Sequence, residues 1–151
     1  MSQYVTFRIH EGAYALPIEL VQEINRPSDI TPVPRAPAEI RGLVNLRGQI
    51  ITIFDVPVWL GLGPISITDK TRNIIMKSKH QLKNGNSPEY ESIEEPAGLL
   101  VDVIGDIQEF DDDSIEPPPG NVDGAIVKGV GKSKEGLFTI LNVPNLIAAQ
   151  K

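Results

Sequence analysis

Short stretches of alternating apolar and polar residues, separated by turn-forming residues, occur along most of the chain. In residues 4–9, the apolar side chains of Val5, Phe7 and Ile9 alternate with more polar neighbours, and this two-residue period is typical of a half-buried strand. The other short apolar stretches lie at residues 14–16, 43–54, 73–76, 98–103, 107–110, 125–130 and 137–141. Gly48 interrupts one of them and predicts two strands there. About nine or ten short strands, with turns about every 8 to 12 positions, predict an all-β barrel or sandwich fold.

The segments between these strands have less regular patterns. Residues 18–24 fit either a helical turn or a strand. Residues 26–37 contain four prolines, and because proline removes a backbone donor we predict a fixed, extended loop. Residues 79–95 are polar with few core-forming side chains, which predicts a mobile loop. Short helical segments are predicted at residues 38–41, 56–60 and 143–149.

The length of the chain favours a single domain. At 151 residues the chain has the usual size of one folding unit, whereas two independent halves of roughly 70 residues would each bury only a small core. We therefore expect residues 1–151 to form one domain with a shared hydrophobic core. Within it, we place the approximate division between two subdomains near residues 60–70, with the termini free to cross between them.

Composition and charge exclude several classes of function. No apolar run reaches the roughly 18 residues that a membrane-spanning helix needs, and the first residues lack the pattern of a secretory signal. We therefore expect a cytoplasmic protein with no direct membrane insertion. The chain has no cysteine, which excludes disulfides and thiolate metal sites. Its net charge is −6 and its 14 basic residues are scattered, so nucleic acid is a poor candidate partner.

The candidate catalytic and ligand-binding motifs are incomplete. Residues 131–133 read Gly-Lys-Ser, but a phosphate-binding loop requires a glycine at the position of Ile126, so a glycine-rich hairpin is the better interpretation. The three aspartates that begin at Asp111 lack the spacing of a calcium loop and indicate a solvated acidic turn. The only histidines, His10 and His80, lie in predicted loops without a suitable nucleophile. We predict no enzymatic activity, no metal site and no cofactor.

Two blocks of sequence carry a family resemblance. Residues 40–56 read IRGLVNLRGQIITIFDV and are preceded by the proline-spaced TPVPRAPAE and by IELVQEI. A second block contains AGLLVDVIGDIQEF, then IEPPP, then IVKGVGKSKEGLFTILNVPNLI. In this order and spacing, the two blocks resemble the CheW family over nearly the whole chain. The matching positions of the first block are Pro37, Ile40, Gly42, Asn45, Leu46, Arg47, Gly48 and Asp55.

The resemblance implies both a fold and a function. Members of the CheW family consist of two small five-stranded β-barrels packed over one hydrophobic core with a few short helices, which agrees with the strand count. They have no catalytic activity, and they connect the regulatory domain of a CheA-type histidine kinase to the cytoplasmic tip of chemoreceptors. We therefore expect a non-enzymatic signalling adaptor of chemotaxis or of a related two-component pathway.

The resemblance also implies a set of receptor- or kinase-binding residues, namely Val21, Glu23, Gly42, Asn45, Arg47 and Gly48. The guanidinium fork of Arg47 suits carboxylates or carbonyls on a partner helix, and the alternative is an internal pair with Glu23 or Asp55. Val21 and Glu23 either contact the receptor or belong to a strand in which Val21 is buried. Asn45 is expected to hold a turn through its side-chain amide. The two glycines permit either a tight turn or the close approach of a partner backbone.

Some features depart from the family pattern and leave alternatives open. Residues 79–95 form a longer loop than in compact members, and Val56 and Pro57 follow Asp55 where a leucine-arginine pair is frequent. The kinase contacts and the particular pathway therefore stay open. The main rival hypothesis is a β-barrel protein that binds a small ligand or nucleotide, and a carboxylate-based hydrolase is a weaker one. Thermal shift against nucleotides and metals would detect such a ligand, whereas pull-down with kinase or receptor tests the adaptor.

Overall fold

Ten strands account for most of the described chain. The computed structural model describes residues 2–78, 96–121 and 126–143. In chain order the strands are β1 (Ser2–Ile9), β2 (Gly12–Pro17), β3 (Val21–Asn25), β4 (Ile40–Leu46), β5 (Gln49–Asp55), β6 (Arg72–Met76), β7 (Ala97–Val101), β8 (Val103–Phe110), β9 (Val127–Ser133) and β10 (Gly136–Leu141). The helical elements between them are α1 (Val56–Trp59) and the 3-10 turns Ile18–Leu20 and Asp112–Ser114.

The strands form two five-stranded sheets. The first sheet has the order β8-β1-β2-β10-β9, and the second has the order β3-β6-β7-β5-β4. Neighbouring strands are antiparallel except in the pairs β2 with β10 and β5 with β7, which are parallel. The prediction of an all-β fold with two five-stranded units and few helices is confirmed. In the described residues the outer strands of each sheet are not paired with each other, so each unit is an open sheet rather than a fully closed barrel.

The chain builds the second sheet between the two parts of the first. Strands β1 and β2 belong to the first sheet, β3 to β7 form the second, and β8 to β10 return to the first. The second sheet therefore extends from Val21 to Val101, and residues 60–70 lie inside it rather than between the two sheets. That the whole chain unfolds as one cooperative domain stays a prediction.

Both sheets contribute to one core. Buried side chains of the first sheet, such as Phe7, pack together with buried side chains of the second, such as Phe54 and Leu99. Each sheet also covers a smaller apolar cluster of its own, which contains Phe110 in the first sheet and Ile53 in the second. The expected shared hydrophobic core is confirmed, and it joins the two sheets along the faces that they turn towards each other.

Strand β7 explains why parts of the sequence are continuously apolar rather than alternating. All five residues of this strand are buried. Leu99 belongs to the core shared by both sheets, whereas its neighbour Leu100 belongs to the second sheet's own cluster. A strand that is covered on both faces needs an apolar residue at every position.

The less regular segments differ in how well they were predicted. Residues 18–24 contain both of the alternatives, because the 3-10 turn is followed directly by β3. Residues 26–37 form a loop without a helix or a regular strand, as predicted, but the loop is not extended throughout, because it turns at residues 34 and 35 and the Ala36 N–H donates to the Val33 carbonyl oxygen at 3.3 Å. Thr31 in this loop forms an isolated bridge to Leu43 of β4. The short helix predicted at 56–60 corresponds to α1.

The helical turn predicted at 38–41 is shorter than expected. Ala38 and Glu39 form one turn, which is closed by a hydrogen bond of 2.9 Å from the Ile40 N–H to the Pro37 carbonyl oxygen. It ends there because β4 begins at Ile40, which pairs with Phe54 of β5. The loop predicted at 79–95 lies outside the described residues, and so does the predicted closing helix after Val143.

The Gly-Lys-Ser segment belongs to the hairpin of β9 and β10, as expected. Ser133 pairs with Gly136 across the turn, and Lys132 Nζ lies 2.9 Å from Glu116 Oε1. This lysine therefore pairs with a carboxylate of its own chain. The acidic residues form the predicted turn, in which the Ser114 hydroxyl donates to the backbone oxygen of Asp111 at 2.7 Å.

Candidate functional site

The tip of the β4–β5 hairpin carries three of the predicted binding residues. Leu46 pairs with Gln49, which leaves Arg47 and Gly48 as a two-residue turn with φ values of 52° and 86°. Positive φ at both positions is the geometry of a type I′ turn, whose twist matches that of the flanking strands. Asn45 Oδ1 accepts a hydrogen bond of 2.9 Å from the Gly48 N–H. The expected role of Asn45 in holding the turn is therefore confirmed.

An ion pair joins β3 to the turn that follows β4, and these two strands are the outer strands of the second sheet. Arg47 Nη2 donates to Glu23 Oε1, although β3 and β4 lie at opposite ends of the strand order. The sheet therefore curls until its two edges face each other. The Arg47 side chain stays 66% exposed and that of Glu23 28% exposed. Of the internal pairs considered for Arg47, the one with Glu23 is present, and the one with Asp55 is wrong because Asp55 pairs with Arg41.

The ion pair also favours the charged form of Glu23. The hydrogen bond from Arg47 lowers the pKa of Glu23 from its ordinary value of 4.5, burial opposes this effect, and the positive charge of Arg47 adds to it. A hydrogen bond to a carboxylate stabilises its ionised form, which explains the direction. At neutral pH the hairpin tip thus presents two opposite charges side by side, both within reach of solvent.

A β-bulge separates Val21 from Glu23. Residues two positions apart on a regular strand share a face, but the pairing of β3 with β6 shifts between these two residues, and one extra residue reverses the face. Val21 lies opposite Met76 and packs against the shared core, whereas Glu23 lies opposite Ile75 of the second sheet's own cluster. The structure therefore does not place Val21 beside the Arg47–Glu23 pair, and Val21 is only half-buried.

Gly42 lies away from the hairpin tip and is buried. The proline-rich loop runs antiparallel beside β4 at this point, where Thr31 and Leu43 exchange backbone hydrogen bonds of 2.8 and 2.9 Å. A Cβ atom on Gly42 would lie 2.4 Å from the Thr31 carbonyl oxygen. A glycine is required at this position because the backbone of Thr31, in the same chain, approaches it closely. The assignment of Gly42 to the binding surface therefore rests on the family resemblance alone.

Asp55 forms a buried anchor that sequence reasoning missed. Its Oδ2 atom accepts hydrogen bonds of 3.1 Å from both Arg41 Nη1 and the Ile65 N–H, and Arg41 also donates to the Ile65 carbonyl oxygen at 2.9 Å. The Asp55 side chain is 2% exposed and that of Arg41 31%. These contacts tie β4, the end of β5 and the segment after α1 together. The sequence showed only an aspartate at the end of an apolar strand, and this pattern did not reveal that Arg41 and Ile65 would be its hydrogen-bond partners.

A pocket opens between β3 and β4, where the two edges of the second sheet face each other. We call it the seam pocket; its volume is about 310 Å³. Its polar lining residues include Glu23, Asn25, Arg26, Asn45, Arg47 and Asn73. Asn73 is 2% exposed, and its side-chain Oδ1 has no hydrogen-bond partner among the described residues. No sequence pattern indicated this pocket, because Asn73 only marked the start of a predicted strand.

A second pocket, of about 360 Å³, lies against the first sheet. Its lining is mainly apolar and includes Leu60, Val130 and Leu141. Tyr14 also lines it, and burial raises the pKa of its hydroxyl, so the phenol stays neutral at physiological pH. The described lining contains no carboxylate, imidazole or amine that could act as an acid or base.

The described residues include no cluster of three or more side chains placed to hold a metal ion. No helix in the described segments is both long and apolar enough to cross a membrane. The hairpin tip and the adjoining seam pocket bring together the Arg47–Glu23 ion pair, Arg26 and the buried Asn73.

The chain belongs to the CheW-like domain family, whose model matches residues 3–151. It is 26% identical to the chemotaxis protein CheW of Helicobacter pylori over 96% of this chain and 81% of that protein. It is 30% identical to the chemotaxis protein CheW of Rhizobium meliloti over 78% of this chain and 66% of that protein. Among solved structures, the scaffolding protein TtCheW of Thermoanaerobacter tengcongensis is similar with a TM-score of 0.81 and 31% identity, over 96% of this chain and 86% of that one.

Proposed function

We propose that the chain is a non-enzymatic adaptor that couples chemoreceptors to a CheA-type histidine kinase in the cytoplasm. The observation that carries the proposal is the CheW-like domain along residues 3–151. The proposed partners are the cytoplasmic tip of the receptors and the regulatory domain of the kinase, in chemotaxis or a related two-component pathway. The function of such an adaptor lies in the geometry of its contacts, so the residues that matter are those that a partner can reach.

The tip of the β4–β5 hairpin is the proposed docking surface. It presents the two-thirds exposed guanidinium of Arg47, and Ile50 nearby on β5 is 57% exposed. A helix that carries apolar and polar residues along one face can bind such a combination, with the apolar contact at the centre and the charge at the rim. Glu23, Asn45 and Gly48 support the tip, as described above. Val21 stays a proposed contact on the opposite face of β3.

The substitution Arg47→Glu tests this surface. We expect it to weaken binding of a receptor cytoplasmic fragment about tenfold or more, because the reversed charge would face the partner's complementary group. The melting temperature should change little, because the Arg47 side chain is exposed. The matched control is Arg8→Glu, which reverses an exposed arginine on β1 of the first sheet and should leave receptor binding unchanged.

A charge-swapped double variant separates a partner contact from an internal role. Glu23→Arg combined with Arg47→Glu restores an ion pair between β3 and β4 with reversed polarity. If Arg47 contacts the receptor directly, the double variant should still bind weakly. Recovery of full affinity in the double variant would instead mean that Arg47 acts through Glu23, and unchanged affinity in Arg47→Glu alone would remove Arg47 from the docking surface.

A further inference from the structure

The two sheets are built to the same plan. In each strand order the third of the four neighbouring pairs is the parallel one, β2 with β10 in the first sheet and β7 with β5 in the second. The fourth pair of each sheet is a hairpin with a turn of two residues. The sequence follows the same repeat, because residues 52–56 at the end of β5 read TIFDV and residues 139–143 at the end of β10 read TILNV.

A glycine lies at the same position of each hairpin. A Cβ atom on Gly42 would lie 2.4 Å from the carbonyl oxygen of Thr31, and one on Gly129 would lie 2.8 Å from that of Glu116. Thr31 and Glu116 each form an isolated bridge to the residue that follows the glycine. The two sheets are therefore structural repeats, and their equivalent positions can be compared one by one.

The repeat leaves the same two apolar positions exposed in both sheets. Ile50 and Leu137 are the second residues of β5 and β10, and they are 57% and 63% exposed. Ile24 and Ile107 lie beyond the bulges of the edge strands β3 and β8, and both are exposed as well. These four are the majority of the seven large apolar residues exposed in the described parts of the chain. Isolated exposed apolar residues are common, but the same pair on both repeats indicates two equivalent contact surfaces.

In each sheet the hairpin tip reaches the edge strand that carries the other exposed apolar residue. Arg47 pairs with Glu23 in the second sheet. In the first sheet, Glu135 Oε2 accepts a hydrogen bond of 2.9 Å from Gln108 Nε2. Glu23 and Gln108 are direct neighbours of the exposed isoleucines. The two exposed apolar residues of each sheet therefore lie on either side of the place where the edges of that sheet meet.

The two surfaces differ in charge. Arg26 lies two residues after Ile24, and Glu109 lies two residues after Ile107. Both charged residues are exposed, and neither forms an ion pair with another described residue. We call Ile24, Arg26 and Ile50 the second-sheet edge, and Ile107, Glu109 and Leu137 the first-sheet edge. Because the apolar residues match while the charges are opposite, each edge is complementary to the other.

We propose that the second-sheet edge of one copy of this chain binds the first-sheet edge of a second copy, with Arg26 of one copy paired with Glu109 of the other. A second copy is the partner that fits, because both halves of the complementary contact are present in one chain. The two edges in contact are different, so each copy keeps a free edge to which a further copy can bind, and assembly gives a closed ring or an open chain. The inference goes beyond the proposed function. Ile50 also belongs to the proposed docking surface, so a second copy and a docked partner compete for this edge.

Sedimentation velocity of the full chain without partners tests the inference. The weight-average sedimentation coefficient should rise with concentration beyond that of a dimer. Leu137→Asp and Ile50→Asp should each weaken association about tenfold or more, because a charged side chain would enter an apolar contact. Both positions are more than half exposed, so the melting temperature should change little. The matched control is Ile67→Asp, which should associate like the unsubstituted chain, because Ile67 is 48% exposed and belongs to neither edge.

A mixture of the two variants shows whether the edges in contact are different. Leu137→Asp keeps its second-sheet edge and Ile50→Asp keeps its first-sheet edge, so an equimolar mixture should form a one-to-one dimer and nothing larger. Each variant alone should stay monomeric at that concentration. A charge swap tests the ion pair: Arg26→Glu should weaken association about tenfold, and Glu109→Arg added in the same chain should restore it.

The outcomes separate this inference from the proposed function. A chain that stays monomeric up to about 1 mM binds its own copy too weakly for a specific contact, and this result would overturn the inference. Dimers of either variant alone would mean that one edge binds its own equivalent, which contradicts a contact between different edges. A charge swap that restores nothing would remove the pair of Arg26 with Glu109. These measurements contain no receptor or kinase, so the adaptor function is decided separately, by whether the unsubstituted chain binds those partners.

Discussion

The substitution Asp55→Ala probes the buried anchor that supports the docking hairpin. Asp55 ends β5 and accepts hydrogen bonds from Arg41 of β4 and from the backbone of Ile65. Alanine removes the Oδ2 atom, which accepts both hydrogen bonds. It also removes Oδ1, which has no hydrogen-bond partner in the described chain. The Asp55 side chain makes no capping bond to α1, so the loss concerns this anchor and not the helix.

The size of the effect follows from these contacts. The Ile65 N–H is left unpaired at a buried position, which costs about 1–3 kcal/mol. Loss of the charged bond to Arg41 adds about 1 kcal/mol, a discounted figure because water reaches the Arg41 side chain, which is 31% exposed. Removal of the unpaired Oδ1 offsets part of this. We expect a net loss of about 2–3 kcal/mol, or about 5–10 °C in melting temperature for a chain of this size.

The single tryptophan provides the assay. Trp59 stacks on Phe54, the residue directly before Asp55, with ring centroids 4.8 Å apart. The fluorescence of Trp59 therefore reports the unfolding of this region during urea titration. The control is Glu116→Ala, which removes the exposed pair with Lys132 and should cost less than about 1 kcal/mol. A loss for Asp55→Ala below about 1 kcal/mol, or one equal to that of the control, would refute the assignment of this anchor.

Three further predictions concern the glycines Gly42 and Gly48, the Arg47–Glu23 ion pair and the unfolding of the chain as one domain. Gly42→Ala should destabilise the chain by about 1–3 kcal/mol in urea titration, because the added Cβ would overlap the Thr31 backbone. In Gly48→Ala the added Cβ has no other atom within 4 Å, so this variant should lose only about 1 kcal/mol, owing to the positive φ at that position. Because the pKa of Glu23 is lowered in the folded chain, the ion pair stabilises the fold at pH values above 4.5, the ordinary pKa of a glutamate. This contribution is lost as the pH falls through the lowered pKa of the folded state. In Arg47→Met, an NMR titration should show the Glu23 pKa moving back up, and an unchanged pKa would contradict the assigned cause. Calorimetry should show one unfolding transition, because neither sheet alone buries enough apolar surface, and two separate transitions would contradict a single domain.

The regular strands were predictable because their apolar residues recur at positions that the core buries. In β1 Val5, Phe7 and Ile9 are all buried, but Tyr4 and Thr6 between them are buried as well, so this strand is covered on both faces there and the predicted half-buried strand is wrong. In β7 burial on both faces gives a continuous apolar stretch. The hairpin tip was also predictable, because its turn depends on residues only three positions apart. Gly48 adopts a positive φ, and the side chain of Asn45 accepts a hydrogen bond from the Gly48 N–H. Local patterns of this kind reflect local geometry, so one sequence suffices to find them.

The missed features depend on contacts between residues that are distant in sequence. The sequence of β3 contains no sign of its bulge. Val21 and Glu23, two positions apart, were therefore expected on the same face of the strand, whereas the bulge places them on opposite faces. The seam pocket exists because the outer strands of the second sheet curl towards each other, and Asn73 has no mark in the sequence that distinguishes it from a strand end. The pairing of Arg41 with Asp55 likewise follows from the register of β4 with β5, which the sequence pattern does not specify.

The central claim is that this chain connects a receptor to a kinase, and reconstitution of the three components tests it most directly. The chain, a receptor cytoplasmic fragment and the regulatory domain of a CheA-type kinase are mixed and examined by analytical ultracentrifugation. The account predicts one complex that contains all three components, and it predicts that receptor fragment and kinase domain associate much more weakly when the chain is omitted. The account is contradicted if the chain sediments alone in the presence of both partners, or if the two partners associate equally well without it.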